Sequence, residues 1–363
     1  MRAFVQTAVG KYEERDLPVP RPAPGEVILR VRAALTCGTD LKLLARGHPR
    51  ISLPVTMGHE ACGEIVETGE GVTDFRAGDR VVPGVSGPCG SCGDCAGGRA
   101  NLCASAHADR TWGTFAELLR VPEAVVRSNL HRPPADLPDE VAAFLDPLAS
   151  VLHGWNRLGA PPPETLLIYG AGAVGLLWAA TARSRGTRAI VAGRGAPRLE
   201  AAANFGARVV DVARESAAGI AADAAVDCTG DPRVWELLPS LVRPAGRVLL
   251  FGGCAPGASV TYDAARLHYS EISLAGSFHY TPEEARQAMA LLSSGEVDPS
   301  PLITETGSLS DVPRFLEAQA RGAGIRYAIE IGSRALPLPS FDTGPARVDV
   351  PDRNALERAM EDR

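Results

Sequence analysis

The chain has 363 residues, 45% of them hydrophobic and 22% charged, enough for two domains with sizeable cores and ordinary for a soluble globular protein. A formal net charge of −6 with no basic block argues against nucleic acid as a partner. The start, Met1-Arg-Ala-Phe, lacks the apolar core of a signal peptide, which predicts a cytoplasmic protein, and the apolar run Leu166 to Ala182 is broken by Gly170, Gly172 and Gly175, which argues for a strand, turn and helix and against a membrane span.

Residues 1–152 are strand-rich. Glu26-Val-Ile-Leu-Arg-Val-Arg alternates as a half-buried strand does, Gly63 to Gly69 is a strand closed by a turn, and Gly78-Asp-Arg-Val-Val is a turn feeding another strand. Within this part Cys89, Cys92, Cys95 and Cys103 follow the spacing C-x2-C-x2-C-x7-C in a glycine-rich stretch. Four thiolates satisfy tetrahedral zinc, and short turns aim them at one point. Such a site is coordinatively closed, so this zinc holds structure and does no chemistry. The alternative is two disulfides, against which nothing else in the chain suggests an oxidising compartment. A zinc ribbon for nucleic acid is disfavoured, since residues 84–103 carry little charge beyond Asp94 and Arg99.

Residues 153–292 alternate strand and helix, with strands at Thr165 to Tyr169, Ala189 to Ala192, Ala225 to Cys228, Arg247 to Phe251 and Ile272 to Ala275, and a helix at Pro197 to Asn204. That order predicts a doubly wound parallel sheet. The first strand runs into Gly170-Ala-Gly172-Ala173-Val174-Gly175 and then a helix, the context a dinucleotide loop needs. The glycines provide the turn, the close approach of the pyrophosphate, and tight helix packing, with the phosphates at the helix N-terminus. At the end of the second strand, where a carboxylate would bind the adenosine ribose and select NAD, stand Gly193 and Arg194. Loss of the acid and gain of a guanidinium favour NADP(H) over NAD(H), with Arg198 as a second charge. Residues 293–332 end in a short strand, Tyr327 to Ile331, and are expected to return to the first domain; residues 333–363 form a tail that is Pro-rich and then charged, without a motif.

The remaining candidates are Cys37-Gly-Thr39-Asp-Leu-Lys42, Gly58-His59-Glu60 and Leu145-Asp146. A catalytic zinc takes about three protein ligands and leaves one position open. Cys37, His59 and a carboxylate meet that need. Only Lys11 and Lys42 are lysines among 37 basic residues, which makes Lys42 conspicuous. His48 reads as a loop residue.

Together with Gly78-Asp79-Arg80-Val81-Val82 and Gly276-Ser-Phe, these motifs resemble the zinc-containing medium-chain alcohol and polyol dehydrogenases, sorbitol and threonine dehydrogenases among them, over about residues 1–332. The resemblance implies an α/β protein: a barrel-like (GroES-like) catalytic domain, a Rossmann domain with a doubly wound parallel sheet, and a cleft between them. It implies two zinc ions per chain, one catalytic and one structural, and a homodimer or homotetramer joined through the Rossmann sheet edge. Cys37 and His59 match the first two catalytic zinc ligands. Asp146 or Glu60 is the third, with Asp146 preferred and Glu60 matching a residue that exchanges with water. Thr39 matches the hydroxyl that takes the alcohol proton. Lys42 stands where many relatives carry a relaying histidine, so it either relays the proton or hydrogen-bonds the nicotinamide ribose. Trp112 borders the cleft, either lining it or packing beside it. The substrate expected is a secondary hydroxyl of a polyol, sugar or cyclitol, oxidised with zinc as Lewis acid and the nicotinamide as hydride acceptor. The rival readings are an NADPH-dependent carbonyl reductase and a non-catalytic NADPH-binding protein.

Overall fold

A computed structural model describes residues 1–47 and 51–332; His48 and the tail from Ser333, each given an expectation above, lie outside the described residues. Six strands form one sheet in the order Arg208–Asp211, Arg188–Gly193, Thr165–Tyr169, Ala222–Asp227, Val242–Leu250, Ser273–Gly276, every neighbouring pair parallel. Numbered along the chain this is the order 3-2-1-4-5-6, which reverses direction beside Thr165–Tyr169 and opens a crevice at the carboxyl ends of the strands. The central strand is apolar on both faces because both are covered. Leu166 and Ile168 pack with Trp155 and Trp178 on one side, and Leu167 packs with Ile190 and Val248 on the other. Each such buried side chain contributes roughly 1.5–3 kcal/mol.

The structure adds the strand Arg208–Asp211 to the five expected from sequence. It also starts the fifth strand at Val242, five residues early, because Pro244, Ala245 (φ 60°) and Gly246 loop out of register before the ladder resumes at Arg247. The expected helix from Pro197 begins at Ala196.

A second, mostly antiparallel sheet runs Ile303–Ser308, Arg326–Glu330, Val27–Leu35, Ala61–Thr68, Arg80–Pro83, Leu130–His131, with Leu118–Val121 also paired to Val27–Leu35. Arg326–Glu330 therefore lies against Val27–Leu35, although nearly 300 residues separate them. This pairing brings Arg326 beside the start of Ala61–Thr68 and so beside His59 and Glu60. The first sheet delivers its glycine loop, and the helix Leu145–Leu158 delivers Asp146 in its first turn. Among the described residues no helix is long and apolar enough to cross a membrane.

Candidate active site and metal centres

Cys37 caps the helix Gly38–Arg46 in extended conformation (φ −129°, ψ 152°), and the Asp40 carboxylate turns back to accept its backbone N–H at 2.8 Å. This is the second half of a capping box. The other oxygen of Asp40 lies 3.2 Å from His59 Nδ1, outside hydrogen-bond geometry, so one buried carboxylate caps the helix start and sits beside the imidazole. His59 and Glu60 follow Gly58, whose φ of 88° and whose contact with Thr114 and Phe115 leave no room for a side chain. Trp112 stacks on the His59 ring at 4.8 Å and 9°. It packs there and is not among the residues that line the cleft.

Cys37, His59 and Glu60 bring their ligand atoms within 4.8 Å of one another. Glu60 Oε2 takes the buried Arg326 guanidinium at 2.9 Å, while Oε1 is buried without a hydrogen-bond partner, 3.7 Å from His59 Nε2. Arg326 also donates to the Thr36 carbonyl. An orphaned carboxylate oxygen between a thiol and an imidazole, in a set of one sulfur, one nitrogen and one oxygen, fits a zinc ion with an open fourth position. The electrostatics agree. Burial raises the Cys37 thiol, but Arg326 and His59 outweigh it and bring it down to about 6. Burial lowers His59, but Asp40 and Cys37 raise it well above its ordinary value. Burial, aided by Cys37, raises Glu60 against Arg326 and His59. A divalent cation among these groups favours the charged carboxylate and thiolate.

Asp146 lines the same cleft but does not join the triad; its Oδ1 accepts the Tyr280 hydroxyl at 2.7 Å. Sequence favours Asp146 over Glu60 as third ligand, and the geometry ranks them the other way, because a Glu60 oxygen lies within 4.8 Å of the Cys37 and His59 ligand atoms and Asp146 is not in that group. Glu60→Gln is therefore expected to lose one metal per chain. Asp146→Asn should keep both metals and slow turnover about ten- to hundredfold, as changes beside a metal site do. Elemental analysis with initial rates separates the two; one metal in Asp146→Asn would restore it as a ligand.

The second cluster is the cysteine quartet, whose four sulfurs also fall within 4.8 Å of one another. Sγ–Sγ distances are 3.5 Å (Cys92–Cys95), 3.6 Å (Cys89–Cys103) and 3.9 Å (Cys89–Cys95). Four sulfurs at the usual zinc–sulfur distance make a tetrahedron with edges of about 3.8 Å. The thiols are free, not paired as disulfides. Backbone N–H groups of Ser91 and Cys92 pull the Cys89 thiol down to about 6.

A cleft of ≈ 940 Å³ joins the metal triad to the glycine loop: Thr39 and Lys42 of the helix Gly38–Arg46 and Asp146 of the helix Leu145–Leu158 line it on the metal side, Val174 and Phe251 on the dinucleotide side. Lys42 Nζ donates across the cleft to the Gly253 carbonyl at 3.4 Å. A second cavity of ≈ 660 Å³ is lined by Gly170, Gly172, Gly193, Arg194 and Arg198. Gly172 caps the helix Ala173–Ser184 and faces open space, whereas Gly175 packs so closely on the Gly170 carbonyl that no side chain fits. That is the cradle a pyrophosphate needs. Ala173 lines neither cavity. Arg194 is exposed, but Arg198 donates twice to the Gly324 carbonyl, at 3.0 and 3.2 Å, so its charge is partly committed to the fold. Gly193 has a packing reason of its own, since any Cβ there collides with Ala171.

Sequence reasoning missed Arg326, Tyr280 and His279 and the roles of Asp40 and of Phe278, which sits in the Gly276-Ser-Phe motif. Asp40 carried a signal, lying inside the Cys37-Gly-Thr-Asp motif. Arg326 carried none, since nothing local separates it from the many surface arginines.

Two family models match the chain: an alcohol dehydrogenase GroES-like domain over residues 23–129 and a zinc-binding dehydrogenase over residues 173–294. It is 34% identical over 307 residues to D-altritol 5-dehydrogenase of Agrobacterium fabrum, covering 82% of this chain and 90% of that protein. It is 33% identical to L-threonine 3-dehydrogenase of Streptomyces coelicolor (87% and 94% covered) and 29% identical to sorbitol dehydrogenase of Halalkalibacterium halodurans (91% and 99%). Among solved structures, a Sinorhizobium meliloti protein bound to NADP superposes with a TM-score of 0.81 at 30% identity, covering 91% of this chain and 98% of that one. Alcohol dehydrogenase TADH from Thermus sp. ATN1 does so at 0.83 and 27% identity, covering 92% and 100%.

Proposed function

This chain belongs to the zinc-containing medium-chain dehydrogenases and is an NAD(P)-linked oxidoreductase acting on CH–OH groups; from that premise we propose that it oxidises a secondary alcohol of a polyol, sugar or cyclitol to the ketone, with NADP⁺ as coenzyme. The observation that carries the reading is the shared cleft, in which the Cys37–His59–Glu60 triad faces the dinucleotide loop through Val174. Two of the relatives above are named for polyols, which supports the substrate class.

Bound zinc and nicotinamide supply Lewis-acid polarisation of the substrate oxygen and a hydride acceptor. The chain does the rest. Cys37, His59 and Glu60 would hold the metal, with Asp40 beside the imidazole Nδ1 and Arg326 fixing the carboxylate by its outer oxygen. The Thr39 hydroxyl, exposed in the cleft, takes the proton of the alcohol. Lys42, at the rim and bonded to Gly253, is placed to pass that proton outward or to bind the nicotinamide ribose.

The coenzyme preference rests on Arg194 beside a position without a carboxylate. Placing Asp at 193 would disturb Ala171 and blur the result, so Arg194→Ala is the cleaner probe. A charge-assisted bond to the 2′-phosphate is worth about 1.5–3 kcal/mol. The kcat/KM for NADP⁺ should therefore fall about ten- to hundredfold, with that for NAD⁺ nearly unchanged. Initial rates with both coenzymes over a panel of polyols, sugars and cyclitols test the whole reading. Equal losses with both coenzymes, or a wild type that uses only NAD⁺, would remove the NADP assignment. A wild type inert on the entire panel would remove the substrate class.

A further inference from the structure

The residues Ser277 to Tyr280 leave the last parallel strand, Ser273–Gly276, and cross to the helix Pro282–Ser294 without belonging to either. Three of them, Ser277, Phe278 and His279, line the substrate cleft, and the fourth holds Asp146. His279 has a φ of 59°, a conformation an ordinary side chain keeps only when its surroundings impose it. Phe278 is 52% exposed and faces the cleft.

The surroundings that impose this shape come from the cysteine lobe, about 180 residues earlier. The buried Asn101 belongs to the short turn Ala100–Leu102 that leads into Cys103. Its amide donates to the Phe278 carbonyl at 2.9 Å. The same nitrogen stands 3.4 Å from His153 Nε2, and His153 Nδ1 lies 3.1 Å from Glu284. A proton on Nδ1 directed at Glu284 leaves Nε2 to accept from Asn101, so both amide hydrogens have partners. The Asn101 backbone carbonyl in turn accepts from His107 Nε2 at 2.9 Å, and the His107 ring packs 5.3 Å from both Phe278 and His279. Ser86 Oγ, 2.5 Å from His279 Nε2, closes the seat.

We propose that Asn101 is a positioning residue for the substrate: by holding the Phe278 carbonyl it fixes the Phe278–His279 wall of the cleft, so the cysteine lobe helps set which alcohol is accepted. The inference rests on the cleft being the alcohol site and deepens that reading. It gives the lobe a part in recognition as well as in stability. Asn101 touches no reacting atom, so its effect falls on substrate binding and not on the hydride step.

The experiment compares wild type, Asn101→Ala and Phe278→Ala as holoenzymes, with the best alcohol of the panel. Readouts are KM and kcat, the coenzyme Kd, metal content, and amide hydrogen exchange over residues 277–280. Asn101→Ala should raise the alcohol KM up to about tenfold, the weight of one ordinary hydrogen bond. Its kcat and coenzyme Kd should move little, two metals should remain, and exchange over 277–280 should quicken. Phe278→Ala, a cleft-surface change that folding tolerates, should reproduce the KM rise and shift the order of preference among the alcohols. An unchanged KM in Phe278→Ala, unchanged exchange in Asn101→Ala, or loss of a metal from Asn101→Ala would each overturn the proposal. If no alcohol is turned over by the wild type, the substrate reading fails first, and exchange together with the coenzyme Kd still decides whether Asn101 holds this wall.

Discussion

Arg326→Met is expected to cost the metal-free protein about 3–5 kcal/mol of stability, the usual loss when one partner of a buried ion pair is removed. Arg326 and Glu60 are each 1% exposed, and the guanidinium serves both Glu60 and the Thr36 carbonyl. Methionine fills much of the volume but leaves a carboxylate and a carbonyl unpaired in the interior. Glu60 also gives the loss a pH signature. Its folded pKa lies well above the ordinary value of 4.5, so its contribution to stability is whole below about pH 4.5 and drains away as the pH climbs through the raised folded value. Without Arg326 the carboxylate is harder still to ionise, and the decline should extend to higher pH. Zinc binds only the folded triad, so added zinc should recover part of the loss by mass action. Chemical denaturation of metal-free wild type and variant, at acidic and neutral pH and with and without zinc, checks all three parts. A variant as stable as the wild type at neutral pH would mean that Glu60 does not depend on Arg326.

The same pair marks where sequence stops being legible. The quartet, the glycine loop and the Cys37 and His59 motifs are contiguous, and their spacing carries their chemistry, so they are readable before any fold is known. Glu60 and Arg326 are 266 positions apart, and only the pairing of Arg326–Glu330 with Val27–Leu35 makes them neighbours. The choice between Glu60 and Asp146 turns on which carboxylate the fold brings within reach of Cys37 and His59, so sequence offers it only as an alternative. Sequence offers Arg198 as a second charge for the coenzyme; it lines the dinucleotide cavity, and only the fold shows that it also donates to the Gly324 carbonyl, 126 positions away. In the parallel sheet the long apolar strands announce themselves. Arg208–Asp211 does not: it has four residues, and Arg208 and Val209 are exposed. An edge strand takes its identity from the neighbour it pairs with, here Arg188–Gly193, and not from an apolar pattern of its own.

The largest effect on activity belongs to Cys37→Ser. Serine keeps the shape of the site but offers a hydroxyl that does not ionise near neutral pH, where the Cys37 thiol, held down to about 6, is ready to bind a cation. Metal content should fall from two to one per chain. Turnover should fall about a thousandfold or more, corresponding to the several kcal/mol that Lewis-acid polarisation is worth. The fold should survive, because Cys37 Sγ contributes little to the core and the quartet is untouched. Cys89→Ser makes the opposite substitution. It breaks the closed site, whose sulfurs stand 3.5–3.9 Å apart, and should lose the other metal together with thermal stability. The two variants thus separate an ion that does chemistry from one that holds a loop, using metal content, melting temperature and rate on each. If Cys37→Ser retains both metals, the triad is not the catalytic metal site; if it loses one but keeps its rate, the reaction does not run through that site. Should Cys89→Ser keep its melting temperature, the cysteine lobe would lose its structural role, and its seat for Phe278 would have to stand on the protein framework alone.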